Sequence, residues 1–137
     1  MPTVPTSAKR ISDALAGRAD VRLALLFGSE ARGTAGPTSD VDIAVDAPGS
    51  DTLELCAILA EAVGRDVDVV RLEDAGIPLL QKLLRDGIVV HEGMRGAGAI
   101  WRTRTLAMLE TDGPWYTRMR DAWLSRVRER GLGHGRS

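Results

Sequence analysis

Val21-Arg22-Leu23-Ala24-Leu25-Leu26-Phe27, closed by Gly28-Ser29 and followed after ten residues by Asp40-Val41-Asp42-Ile43-Ala44-Val45, is the stretch that decides the fold. Seven mostly apolar residues ending at a glycine read as a buried strand. Gly28 lets the backbone turn sharply and approach a ligand closely, and Ser29 adds a hydroxyl and an amide donor suited to a terminal phosphate. Glu30-Ala31-Arg32 is predicted to form a short helix whose N-terminal amides face the same anion, ended by Gly33 and Gly36-Pro37. From Ser39 to Val45 polar and apolar residues alternate, so Asp40 and Asp42 project from one face while Val41, Ile43 and Val45 enter the core.

Alternate residues of a strand lie roughly 6.5–7 Å apart, close enough for two aspartates to converge on divalent ions spaced about 3.5–4 Å from each other. Such a site usually takes a third carboxylate. Arg65-Asp66-Val67-Asp68-Val69-Val70 is a second strand-like run whose aspartates share a face opposite Val67 and Val69. If it lies beside the first, Asp68 completes the set, and Asp66 remains an alternative. Clustered carboxylates repel one another, and Mg²⁺, which prefers oxygen ligands, relieves that repulsion.

These residues resemble the minimal nucleotidyltransferases (MNT domains) of the DNA polymerase β superfamily. The likeness is carried by Gly28-Ser29-Glu30-Ala31-Arg32-Gly33 followed by Ser39-Asp40-Val41-Asp42, by Val67-Asp68-Val69-Val70 as the third-carboxylate strand, and by Leu83 to Val90 as a closing helix and strand. It covers roughly residues 8–93. It implies an α/β (α+β) nucleotidyltransferase fold, a small mixed β-sheet flanked by helices, over a core of residues 1–93. It also implies ATP as substrate and two Mg²⁺ ions held by Asp40, Asp42 and Asp68. On this reading Asp68 is expected to accept the acceptor's proton, and Gly28, Ser29 and Ser39 to bind the nucleotide; Arg32 is expected to stabilise charge on the leaving pyrophosphate, with an exposed salt bridge as the alternative. Glu30 departs from the pattern by placing a negative charge beside the phosphate turn.

The remaining elements suit an α/β domain. Ser7 is expected to cap a first helix reaching about Gly17. Ser50 or Asp51 opens a helix that Gly64 closes, and a helix from about Asp74 to Asp86 carries Pro78 in its first turns. Ile88 to His91 supplies a last short strand, and Asp46, just before Ala47-Pro48-Gly49, reads as a turn residue. A chain of 137 residues suits one domain with a real core. No run approaches the ~18 apolar residues of a membrane span, and the first twenty residues lack the apolar segment of a signal peptide, so a cytoplasmic protein is expected. The single cysteine, Cys56, excludes a disulfide framework and reads as a small buried hydrophobe, while His91 and His134 lack partners at metal-ligand spacing.

Charge divides the chain. Residues 1–92 carry nine Lys and Arg against fifteen Asp and Glu, whereas residues 93–137 carry nine against four, within a total of −1. The latter part also holds Trp101, Trp115, Tyr116 and Trp123, four of the five aromatics. A helical C-terminal extension over 94–137 is predicted. A first helix follows Arg95 to Gly98, Thr111 to Pro114 breaks it, and a second runs to about Arg130 with Tyr116, Met119, Trp123 and Val127 at helical spacing. This stripe packs either on the core or on a partner. Direct nucleic-acid binding is not expected from an acidic catalytic half. The extension is similar to that of MNT antitoxins paired with HEPN ribonuclease toxins. That resemblance implies transfer of AMP from ATP to a tyrosine of the cognate HEPN toxin. A small-molecule (aminoglycoside-type) adenylyltransferase and a non-catalytic antitoxin acting by contact are the alternatives.

Overall fold

The computed structural model describes residues 5–36 and 39–111. It contains helix α1 (Thr6–Leu15), strand β1 (Leu23–Phe27), a one-turn helix α2 (Gly28–Arg32), β2 (Val41–Asp46), α3 (Thr52–Val63), β3 (Val67–Arg71), a 3-10 turn (Leu72–Asp74), α4 (Ile77–Asp86) and β4 (Ile88–Glu92). The sheet order is β3-β2-β1-β4. β1 runs antiparallel to β2 and β4, and β3 is parallel to β2, joined to it through α3. This is the mixed, helix-flanked sheet expected from the sequence.

Alternation along the strands produces two apolar layers. Val41, Ile43 and Val45 join Ala24, Leu26 and Val67 under α1 and α3, through Ile11, Leu15, Leu55 and Leu59. The other face places Leu23, Leu25 and Ala44 under Leu80 and Leu83 of α4, with Phe27, Val70, Ala97 and Trp101 packed at the margin. Asp42 shares its face with Ala44, two positions away. Ala44 is 0% exposed beneath α4, whereas Asp42 is half-buried.

Local signals explain most helix ends. Asp51 caps α3 by accepting from Leu53 N–H at 2.9 Å, and Gly64 terminates it at φ 72°. Asp51→Ala is expected to lower stability by about 1 kcal/mol, read as a reduced Tm. The first helix differs from expectation. Pro5 is its N-cap residue, and Ser7 sits inside the helix, its hydroxyl donating to Glu30 Oε2 at 2.5 Å. The helix expected from Asp74 splits into the 3-10 turn and α4, because Gly76 becomes the N-cap and Pro78 occupies the first helical turn. Asp46 is the last residue of β2 rather than part of the turn. Cys56 is half-buried, its thiol donating to the Val67 carbonyl at 2.7 Å. His91 Nε2 lies 3.1 Å from the Val21 carbonyl, a loop-bracing role.

Residues 97–111 are helical, the expected helix beginning at Ala97 within the glycine-rich run rather than after it. The chain divides into two compact units, Met1–Arg102 and Thr103–Ser137. Ala97 and Trp101 therefore belong to the first unit. The break after Thr111, the second tail helix and His134 lie outside the described residues. Among the described residues, no helix is long and apolar enough to cross a membrane.

Candidate active site

Register brings the motif together. Phe27, the last residue of β1, pairs with Asp42 near the start of β2, so the turn at Gly28 begins beside the Asp42 carboxylate. Gly28 adopts φ 76°, a left-handed conformation natural to glycine, and a Cβ there would run into Asp42 Oδ2. Ser29 follows in α2, and its carbonyl accepts Thr34 N–H at 2.9 Å, which folds the loop back after Gly33. Arg32, at the end of α2, is exposed.

Asp40 is exposed and immediately precedes β2. In the parallel β2–β3 pair, Asp42 is the register partner of Asp68. Register partners on neighbouring strands project from the same face, about 4.8 Å apart at the backbone. Asp66 lies before β3, and its carbonyl accepts Val41 N–H at 2.9 Å. Ser39 closes the turn leading to Asp40, since its Oγ accepts Gly36 N–H at 3.0 Å and its own N–H donates to the Gly36 carbonyl at 3.1 Å.

Burial pushes the Asp42 carboxyl above its usual pKa range, and the charges of Asp68 and Asp40 push it the same way. Arg32 and Lys82 pull it back without cancelling the rise. A half-buried carboxylate crowded by two others is a site short of positive charge. Among the described residues, no three His, Cys, Asp or Glu side chains are gathered tightly enough to hold a metal ion by themselves.

Lys82 is the residue that sequence reasoning missed. It lies on α4 between Gln81 and Leu83. The packing of α4 on α2 and β1 brings its charge near enough to Asp42 to favour the ionised carboxylate.

A family model described as Polymerase beta, Nucleotidyltransferase matches residues 9–95. The chain belongs to this nucleotidyltransferase family. A curated relative, Protein adenylyltransferase MntA of Shewanella oneidensis, is 42% identical over 96 residues, covering 66% of this nucleotidyltransferase and 67% of the relative. Among solved structures, a toxin–antitoxin crystal structure with AMP-PNP aligns with TM-score 0.66 and 28% identity over 85% of this chain and 98% of the other. A second, the tri-AMPylated Shewanella oneidensis HEPN toxin in complex with MNT antitoxin, aligns with TM-score 0.60 and 25% identity over 85% and 96% of the two chains.

Proposed function

We propose that this nucleotidyltransferase is a cytoplasmic protein adenylyltransferase and antitoxin that transfers AMP from ATP to a hydroxyl, most simply a tyrosine, of a cognate HEPN-domain ribonuclease toxin. The observation that carries the reading is the register that sets Gly28, Asp42 and Asp68 side by side on one sheet face. The likeness to MntA and to the tri-AMPylated toxin complex supports the choice of acceptor.

Gly28 and Ser29 hold the β- and γ-phosphates through backbone amides and the serine hydroxyl. Asp40, Asp42 and Asp68 would hold two Mg²⁺ ions, which would supply charge neutralisation for the phosphates and a lowered pKa for the acceptor hydroxyl. Asp68 receives the hydroxyl proton as the acceptor oxygen bonds to the α-phosphorus. The bond from that phosphorus to the bridging oxygen breaks in line, and pyrophosphate departs past Arg32. Ser39 contributes by closing the turn that presents Asp40 to the nucleotide. Residues 1–93 are the catalytic core, and the extension from residue 94 recognises the toxin.

Incubation with a HEPN protein encoded beside it, ATP and Mg²⁺ is expected to raise the partner's mass by one or more AMP units of about 329 Da, the mass retained when pyrophosphate leaves. The modification persists after the antitoxin is removed. Neutralisation without nucleotide, no mass change, and recovery of ribonuclease activity on separation would instead establish inhibition by contact.

A further inference from the structure

Glu30 is the second residue after Gly28, yet its carboxylate reaches α1 and the segment just before β3. It accepts from Ser7 Oγ at 2.5 Å and from an Arg65 guanidinium nitrogen. The other terminal nitrogen of Arg65 donates to the Gly36 carbonyl at 3.4 Å. Both partners are largely shielded, with side chains 24% exposed for Arg65 and 13% for Glu30. Burial pushes the Glu30 carboxyl up, but the hydrogen bonds from Ser7 and Arg65 and the arginine charge outweigh it and hold it below its ordinary range. The residue that departs from the family pattern is thus a neutralised anchor.

One arginine consequently touches two of the three pieces of chain that build the site and belongs to the approach to the third. Its Glu30 bond holds α2, and with it the phosphate turn. Its Gly36 bond holds the carbonyl that also accepts Ser39 N–H, in the turn leading to Asp40. Its own backbone lies three residues before Asp68. The three pieces come from separate elements, and errors of about 1 Å in such an arrangement are costly to phosphoryl transfer. A guanidinium fork can hold two acceptors at fixed separation, which a lysine ammonium cannot.

We propose that Arg65, anchored by Glu30 and Ser7, is a positioning residue that sets the distance between the phosphate turn and the Asp40 and Asp68 carboxylates. The inference rests on the nucleotidyltransferase reading of that site.

The test compares the full-length protein with Arg65→Gln, Arg65→Lys, Glu30→Gln and, as a stability control, Asp20→Asn. Asp20 belongs to a separate ion pair with Arg18 and also accepts from Ser50. Calorimetric titration with AMP-PNP and Mg²⁺ is expected to show about tenfold weaker binding in Arg65→Gln, with Arg65→Lys intermediate because it keeps the charge toward Glu30 but not the fork. Amide exchange across residues 33–40 should quicken in the same order. Asp20→Asn should lower Tm and leave both readouts unchanged. Wild-type affinity and exchange in a folded Arg65→Gln protein would overturn the proposal, as would an equal loss of binding in Asp20→Asn. If Arg65→Gln does not fold, Glu30→Gln carries the test from the other end of the pair, and unchanged exchange across 33–40 there overturns it. If the wild-type protein binds no AMP-PNP, the nucleotidyltransferase reading fails while amide exchange still decides the clamp.

Discussion

Asp42→Asn is expected to lose on the order of a thousandfold in AMP transfer while remaining folded and, at pH 7, becoming more stable than the wild type. The two effects share a cause. Asp42 lies half-buried on the face it shares with Asp68 and beside Asp40, and burial together with those charges raises its carboxyl above the ordinary value of 3.8. A carboxyl with a raised pKa binds its proton more tightly in the folded than in the unfolded chain, so stability falls as pH climbs from the unfolded toward the folded value. Above that interval ionised Asp42 burdens the fold, and asparagine does not. The Tm advantage of Asp42→Asn should therefore be present at pH 7 and disappear as pH falls below about 3.8, the ordinary value for Asp. Asp40→Asn and Asp68→Asn should match the loss of transfer, with Asp66→Asn milder. A thermal melt at two pH values and a labelled-AMP assay check this, and transfer at wild-type rates by the Asp40→Asn, Asp42→Asn double variant would end the metal-ligand assignment. Greater loss from Asp66→Asn than from Asp68→Asn would move the third ligand to Asp66.

How much of this site was legible in the sequence depends on how local each feature is. Strand parity alone separated Asp40 and Asp42 from Val41, Ile43 and Val45, and the two apolar layers follow that division. Gly64 and Asp51 carried their own signals as cap residues, and the structure uses both. Asp66 and Asp68 have the same parity, so periodicity could not choose between them. The register of β2 against β3 sets Asp68 opposite Asp42, and that register depends on a crossover of some twenty residues. Ser7 illustrates the reverse error. A serine near a helix start favours the N-cap, but Pro5 takes that position and the hydroxyl finds Glu30, a partner 23 residues away. Glu30, conspicuous in sequence as a charge misplaced beside a phosphate turn, is compensated by Arg65, 35 residues further on. Lys82 was hidden for the same reason, since its charge reaches Asp42 only through the tertiary packing of α4.

Gly28→Ala is expected to remove AMP transfer by roughly a hundredfold or more and to destabilise the fold by about 1–2 kcal/mol. The stability loss comes from backbone: φ 76° is left-handed, and any side chain there carries the strain of that region. The activity loss comes from position, because the new methyl would overlap Asp42 Oδ2 and must displace either the carboxylate or the turn proposed to hold the phosphates. Gly33 separates the two contributions. It has nearly the same conformation, φ 75°, but a Cβ there meets nothing within 4 Å. Gly33→Ala should therefore show a comparable fall in Tm with far smaller loss of AMP-PNP affinity and transfer. Calorimetry and denaturant melts on the two variants measure the difference. Equal losses of affinity in both would mean that strain in the loop, rather than the contact between Gly28 and Asp42, governs the site. A selective loss in Gly28→Ala ties the Gly28 turn to the Asp42 carboxylate through a single missing methyl group.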